Sequence, residues 1–197
     1  MILNLLASLF FSNKIYMAAS LNKNYIATSR AFTIIILATL LDDVAYYVFD
    51  NKYALSNFSF IFYFSEIVLS CIFLGFLGRL FGGAPMQLSF SAILKGYSYT
   101  LSPVIFGSII LIILSLTTDC NINYYDQMKL GAFLVITVWM WICQFIFIST
   151  YFSRITVFAK LVMFIVNIAI YSGVDLSLIH ISEPTRQEAI SYAVFCL

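Results

Sequence analysis

Runs of apolar residues long enough to cross a bilayer dominate this chain. Five follow one another, at roughly 31–49, 58–81, 97–116, 130–152 and 155–173. Each approaches the ~20 residues a helix needs to traverse a ~30 Å hydrocarbon core. The runs are continuously apolar and do not alternate, which favours helices over the strands of a barrel. At 62% hydrophobic and 10% charged, the chain is far from the ~45–50% apolar and ~25% charged make-up of soluble domains. A soluble fold of 197 residues has too little interior to hide so much apolar surface, whereas a lipid exterior removes the need. The expected fold is therefore all-α, a polytopic membrane bundle of about five transmembrane helices with an N-terminal amphipathic interfacial helix. The lipid bilayer is its first partner. A net charge of +1 gives no reason to expect nucleic acid.

Charge placement tests the count. With five spans, one side collects Lys14, Lys23, Arg30, Arg79, Lys95, Arg154 and Lys160. The other holds Lys52 and Lys129 together with Asp50, Asp119, Asp126 and Asp175. Basic residues favour the cytoplasmic side, which puts the N-terminus in the cytoplasm. Residues 1–13 have no basic stretch ahead of their apolar one and do not read as a secretory signal. Asn4, Ser8 and Ser12 recur every four residues, with Leu5, Leu6, Leu9 and Phe10 on the other face, the pattern of a helix lying in the membrane interface. The expected division is a cytoplasmic lead-in at 1–29, a membrane domain at 30–175 and a distinct tail at 176–197.

The tail breaks the pattern. Its first block, Leu-Ser-Leu-Ile-His-Ile-Ser-Glu-Pro-Thr-Arg at 176–186, resembles the translation of a transposase-type sequencing adapter. The second, Ile-Ser-Tyr-Ala-Val-Phe-Cys-Leu at 190–197, resembles that of the constant segment beyond the index. Gln187, Glu188 and Ala189 fall where a short index would lie. Adventitious segments are excluded from fold reasoning. The single histidine, His180, lies in this tail, so the membrane domain is left without histidine. Ser-His hydrolysis, His-ligated metal and His-ligated haem lose their key residue; no enzyme activity and no cofactor are expected. Cys71 and Cys143 sit in apolar runs and read as small hydrophobes.

Three acids stand out. Asp42 lies twelve residues beyond Arg30, and Glu66 thirteen before Arg79. At ~1.5 Å per residue, both lie about 18–20 Å from the same surface, a depth shared by Asp43. Intramembrane carboxylates are costly and often mark ion or proton paths. The bland alternative is that the first helix ends near Leu41 and its acids face headgroups, with Glu66 bonding a neighbouring helix. Gln144 and Asn167 read as polar links between helices, and Trp139 and Trp141, deep in their span, as packing residues. Gly78 to Pro85 reads as a cytoplasmic turn without phosphate-binding spacing. Pro103, near a helix start, costs little there.

One stretch resembles a known family. Leu80-Phe81-Gly82-Gly83, a short amphipathic link to Leu94-Lys95-Gly96-Tyr97, and then Pro103 is similar to the segment joining the second and third of five membrane helices in the Yip1 domain family. Residues 5–23 resemble that family's cytosolic lead-in, and Trp139, Arg154, Ala159 and Lys160 fit its fourth and fifth helices. Ala84-Pro85 and Asp42-Asp43 depart from the pattern. The resemblance implies a non-enzymatic membrane scaffold, an interaction or trafficking protein with other membrane or cytoplasmic proteins as partners. The competing expectation is a small transporter or ion-coupled subunit in which Asp42, Asp43 and Glu66 face the bundle interior.

Overall fold

A computed structural model describes residues 2–20, 27–50, 59–82, 89–117 and 125–173. The tail beyond 173, including His180, lies outside the described residues, as do Lys52, Gly83, Ala84 and Pro85. Among the described residues all regular structure is helical. The order is α1 (Ile2–Leu9), α2 (Asn13–Ser20), α3 (Thr28–Asp50), α4 (Ser59–Leu80), α5 (Phe90–Tyr99), α6 (Ser102–Thr117) and α7 (Tyr125–Tyr151), followed by α8 (Val157–Gly173).

Among the described residues three stretches are long and apolar enough to cross a membrane: Tyr63–Leu80 in α4, Phe90–Leu116 across α5 and α6, and Leu130–Tyr151 in α7. The α8 helix is apolar but shorter, at 17 residues. The α3 helix has the length, at 23 residues, but carries Asp42 and Asp43. Large apolar side chains such as Phe76, Ile110, Leu134 and Ile165 face outward, as expected where lipid is the solvent.

The helix α5 sits at the centre. Every residue from Ala92 to Tyr99 is buried, and the helix packs against α1, α2, α3, α4 and α7. Its start is capped by Ser89, whose hydroxyl accepts from the Ala92 amide at 3.2 Å, satisfying one of the donors a helix start leaves open. Close packing against α7 depends on Gly96. A Cβ there would collide with the ring of Phe147, which is itself fully buried. Gly78 plays the same part against Phe152. Lys95, counted above among surface charges, is buried with its helix. The α4 helix ends at Leu80, and Gly82 takes φ 66°, the left-handed conformation glycine adopts without cost.

The lead-in is arranged differently from an interfacial helix with its polar stripe in water. It forms two short helices, and Ser8, in the middle of the polar stripe, is completely buried. Ile2, Leu3 and Phe10 are exposed instead. The reason is local: α5 and α6 are interrupted at Thr100–Leu101, and the Ser8 hydroxyl bonds the Tyr99 carbonyl and the Ser102 hydroxyl there.

Candidate functional site

Helical spacing brings polar residues of five helices together. On α3, Ala38, Thr39 and Asp42 share a face through i, i+3 and i+4 relations, as Tyr63, Glu66 and Ile67 do on α4. These six, with Tyr97 of α5, Gln144 of α7 and Tyr171 of α8, line a cavity of about 40 Å³. At ~10–15 Å³ for each water, it has room for about three. Glu66 is 3% exposed and Gln144 2%, so these two side chains lie inside the bundle, while Asp42, Tyr63 and Tyr171 are partly exposed.

Its floor is a closed hydrogen-bond network. The Gln144 amide donates to the Tyr97 hydroxyl at 3.1 Å. The Tyr97 hydroxyl donates to the Asn167 carbonyl oxygen at 3.3 Å. The Asn167 amide donates to the Gln144 carbonyl oxygen at 2.9 Å. One network thus ties α5, α7 and α8. Its members are buried, which makes each bond costly to lose. Asp42, which also lines the cavity, accepts a hydrogen bond from Ser108 of α6 at 3.4 Å.

The three acids separate. Asp42 and Glu66 line the same cavity, while Asp43, about 100° further round the helix, is not on its wall. Among the described residues no group of three or more His, Cys, Asp or Glu side chains is placed to hold a metal ion. The cavity brings two carboxylates, Asp42 and Glu66, alongside the hydroxyls of Tyr63, Tyr97 and Tyr171 and the amide of Gln144. A buried carboxylate is costly unless its charge is neutralised by a proton or matched by a cation, and this cavity has the size for either.

No family model, curated protein or solved structure matches the chain. Gln144 and Asn167 join helices, as polar residues within apolar helices are expected to. Tyr97 and Tyr171 escaped the sequence reading because tyrosine is common in apolar runs and has no spacing signature. The only sign was that Tyr97 lies in the stretch resembling the Yip1 family. Trp139 does more than pack: its indole Nε1 donates to the Leu9 carbonyl at 3.1 Å.

Proposed function

We propose that this chain is a non-enzymatic, multi-pass membrane protein of Yip1-like layout, acting as a membrane scaffold or interaction protein. In this reading α3, α4, α5 with α6, α7 and α8 are five spans and the N-terminus is cytoplasmic. The observation that supports it best is what the residues of the resemblance do. Gly96 seats Phe147, Tyr97 anchors two neighbouring helices, and Pro103 stands in the first turn of α6. A motif whose members hold helices together suits a scaffold. The partners would be other membrane proteins or cytoplasmic proteins meeting the basic face near Arg79 and Arg154.

One observation favours a second reading. Asp42 and Glu66 line one cavity among the helices, an arrangement an ion- or proton-coupled membrane subunit could use. Reconstitution into sealed vesicles separates the two. The scaffold reading expects proton and sodium flux no greater than in protein-free vesicles. Flux that disappears in Asp42→Asn or Glu66→Gln but persists in Asp43→Asn ends the scaffold reading in favour of the second. Topology is checked separately, with glycosylation acceptors inserted near Lys52 and Asp119. Both are expected to be modified from the extracytoplasmic side, and an acceptor at Lys23 is not.

A further inference from the structure

The lead-in helix α1 has three features that an interfacial helix has no need of. The first is how it ends. A helix leaves its last four carbonyls without partners, and at an interface water satisfies them. Here all four are satisfied by the protein. Leu6 O accepts from the Phe10 amide at 3.2 Å, Ala7 O from the Ser12 amide at 3.0 Å, and Ser8 O from the Phe11 amide at 3.0 Å. Leu9 O accepts from the Trp139 indole, and the Cys143 thiol adds a long contact to Ser8 O at 3.8 Å. Internal partners for the carbonyls at this end are what hydrocarbon demands of backbone groups.

The second feature is depth. Ser102, a partner of Ser8, lies one residue from the middle of Phe90–Leu116. Trp139 and Cys143 bracket the middle of Leu130–Tyr151. Both contacts place the end of α1 well inside the lengths of the two apolar stretches, away from their ends. The third is the outer surface, where Leu3 is 81% and Phe10 73% exposed, while the polar side chain Ser8 points inward.

The elbow that follows is unusual. Phe11 takes φ 60°, a left-handed cap position that glycine ordinarily fills and that costs other residues roughly 1–2 kcal/mol. Its ring packs against Trp139, with centroids 6.4 Å apart. Between them and the outer face of α7 runs an apolar groove of about 310 Å³, lined by Phe11, Leu134, Val135, Val138, Trp139 and Ile142.

We infer that α1 is embedded in the hydrocarbon core, where it seals the break between α5 and α6, and that the groove between Phe11 and α7 holds a lipid acyl chain. The inference rests on α5–α6 and α7 crossing the bilayer, as in the function proposed above. The occupant is hydrocarbon because the groove lies at mid-span and no polar side chain lines it.

Single-tryptophan fluorescence tests this. The chain has two tryptophans, so Trp141→Phe leaves Trp139 as the reporter of the groove. Phe10→Trp in a Trp139→Phe, Trp141→Phe background reports α1, and Ile110→Trp in the same background reports the outer face of a span. Each protein is reconstituted in phosphatidylcholine vesicles with or without mid-chain dibrominated lipid, and iodide is added separately. All three reporters are expected to lose most of their emission to the brominated chains and little to iodide. If Phe10→Trp is quenched by iodide and spared by brominated lipid while Ile110→Trp behaves as a span, α1 lies in the interface and the inference fails alone. If brominated lipid also spares Ile110→Trp, the span reading falls and takes the inference with it. Should Phe10→Trp not fold without the Trp139 indole, two cysteine variants carry the test in a Cys120→Ser, Cys196→Ser background. A membrane-impermeant maleimide is expected to label Lys14→Cys in vesicles opened to both faces and to spare Phe10→Cys. Labelling of Phe10→Cys overturns the inference.

Discussion

Single side chains decide how closely these helices approach. Gly96 is the sharpest case, since a methyl group there meets the ring of Phe147, which has no solvent to swing into. Gly96→Ala is expected to destabilise the protein by about 1–3 kcal/mol, as overpacking of a filled core does. A fall in the thermal midpoint in detergent, beyond that of Gly131→Ala, checks it, because a Cβ at Gly131 meets nothing. The amides of Gln144 and Asn167 make a different kind of contribution. Asn167→Leu removes a donor to Gln144 and an acceptor for Tyr97, and is expected to cost about 1–2 kcal/mol, in the range of interhelical hydrogen bonds in membranes. The same assay on Gln144→Leu with Asn167→Leu should show a double variant less destabilised than the sum of the singles, since they share one network.

At the scale of elements, the interruption between α5 and α6 organises its surroundings. It frees the Tyr99 carbonyl, and Ser8 of α1 fills the vacancy while also meeting Tyr16 of α2 at 3.2 Å. Burial pushes the Tyr16 phenol above its ordinary range, so it stays neutral and able to donate. Ser8→Ala is expected to cost about 1–3 kcal/mol, the penalty for leaving a buried polar group unsatisfied, and to loosen α1 from the bundle. Faster proteolysis between α1 and α2 would report the loosening. Unchanged stability and unchanged cleavage would mean that the break is sealed without α1. The amphipathic pattern at Asn4, Ser8 and Ser12 was legible in the sequence, but its direction was not. A stripe of serines faces water when water is the nearest source of hydrogen bonds, and faces the protein when an opened backbone lies closer.

For the whole molecule, the arrangement of acids predicts a hierarchy. Asp42 and Glu66 belong to one cavity, while Asp43 lies off its wall. Any activity that depends on the cavity's carboxylates should therefore respond to Asp42→Asn and Glu66→Gln and tolerate Asp43→Asn. A proton- or cation-flux assay in vesicles measures it, and equal sensitivity at 42 and 43 would contradict the geometry. Counting residues along each helix gave the expectation that these acids share a depth. It did not give which of them meet, because counting fixes height along an axis and leaves open how the helices are rotated against one another.

By itself, the sequence determined that this chain is helical and that several of its helices have the length and apolarity to lie in a membrane. Continuous apolar runs of bilayer length admit no other economical way to satisfy the backbone in lipid. It also pointed to Gln144 and Asn167 as links between helices, since amides in apolar spans must find partners. Only the tertiary structure decided that α5 is the buried centre, that Ser8 faces inward, that Tyr97 completes the network and that Asp42 rather than Asp43 joins Glu66. Each of these depends on the rotation and offset of one helix against another. In a chain whose helices are apolar nearly all round, the sequence pattern hardly marks which face turns inward; packing of residues far apart in the chain settles it.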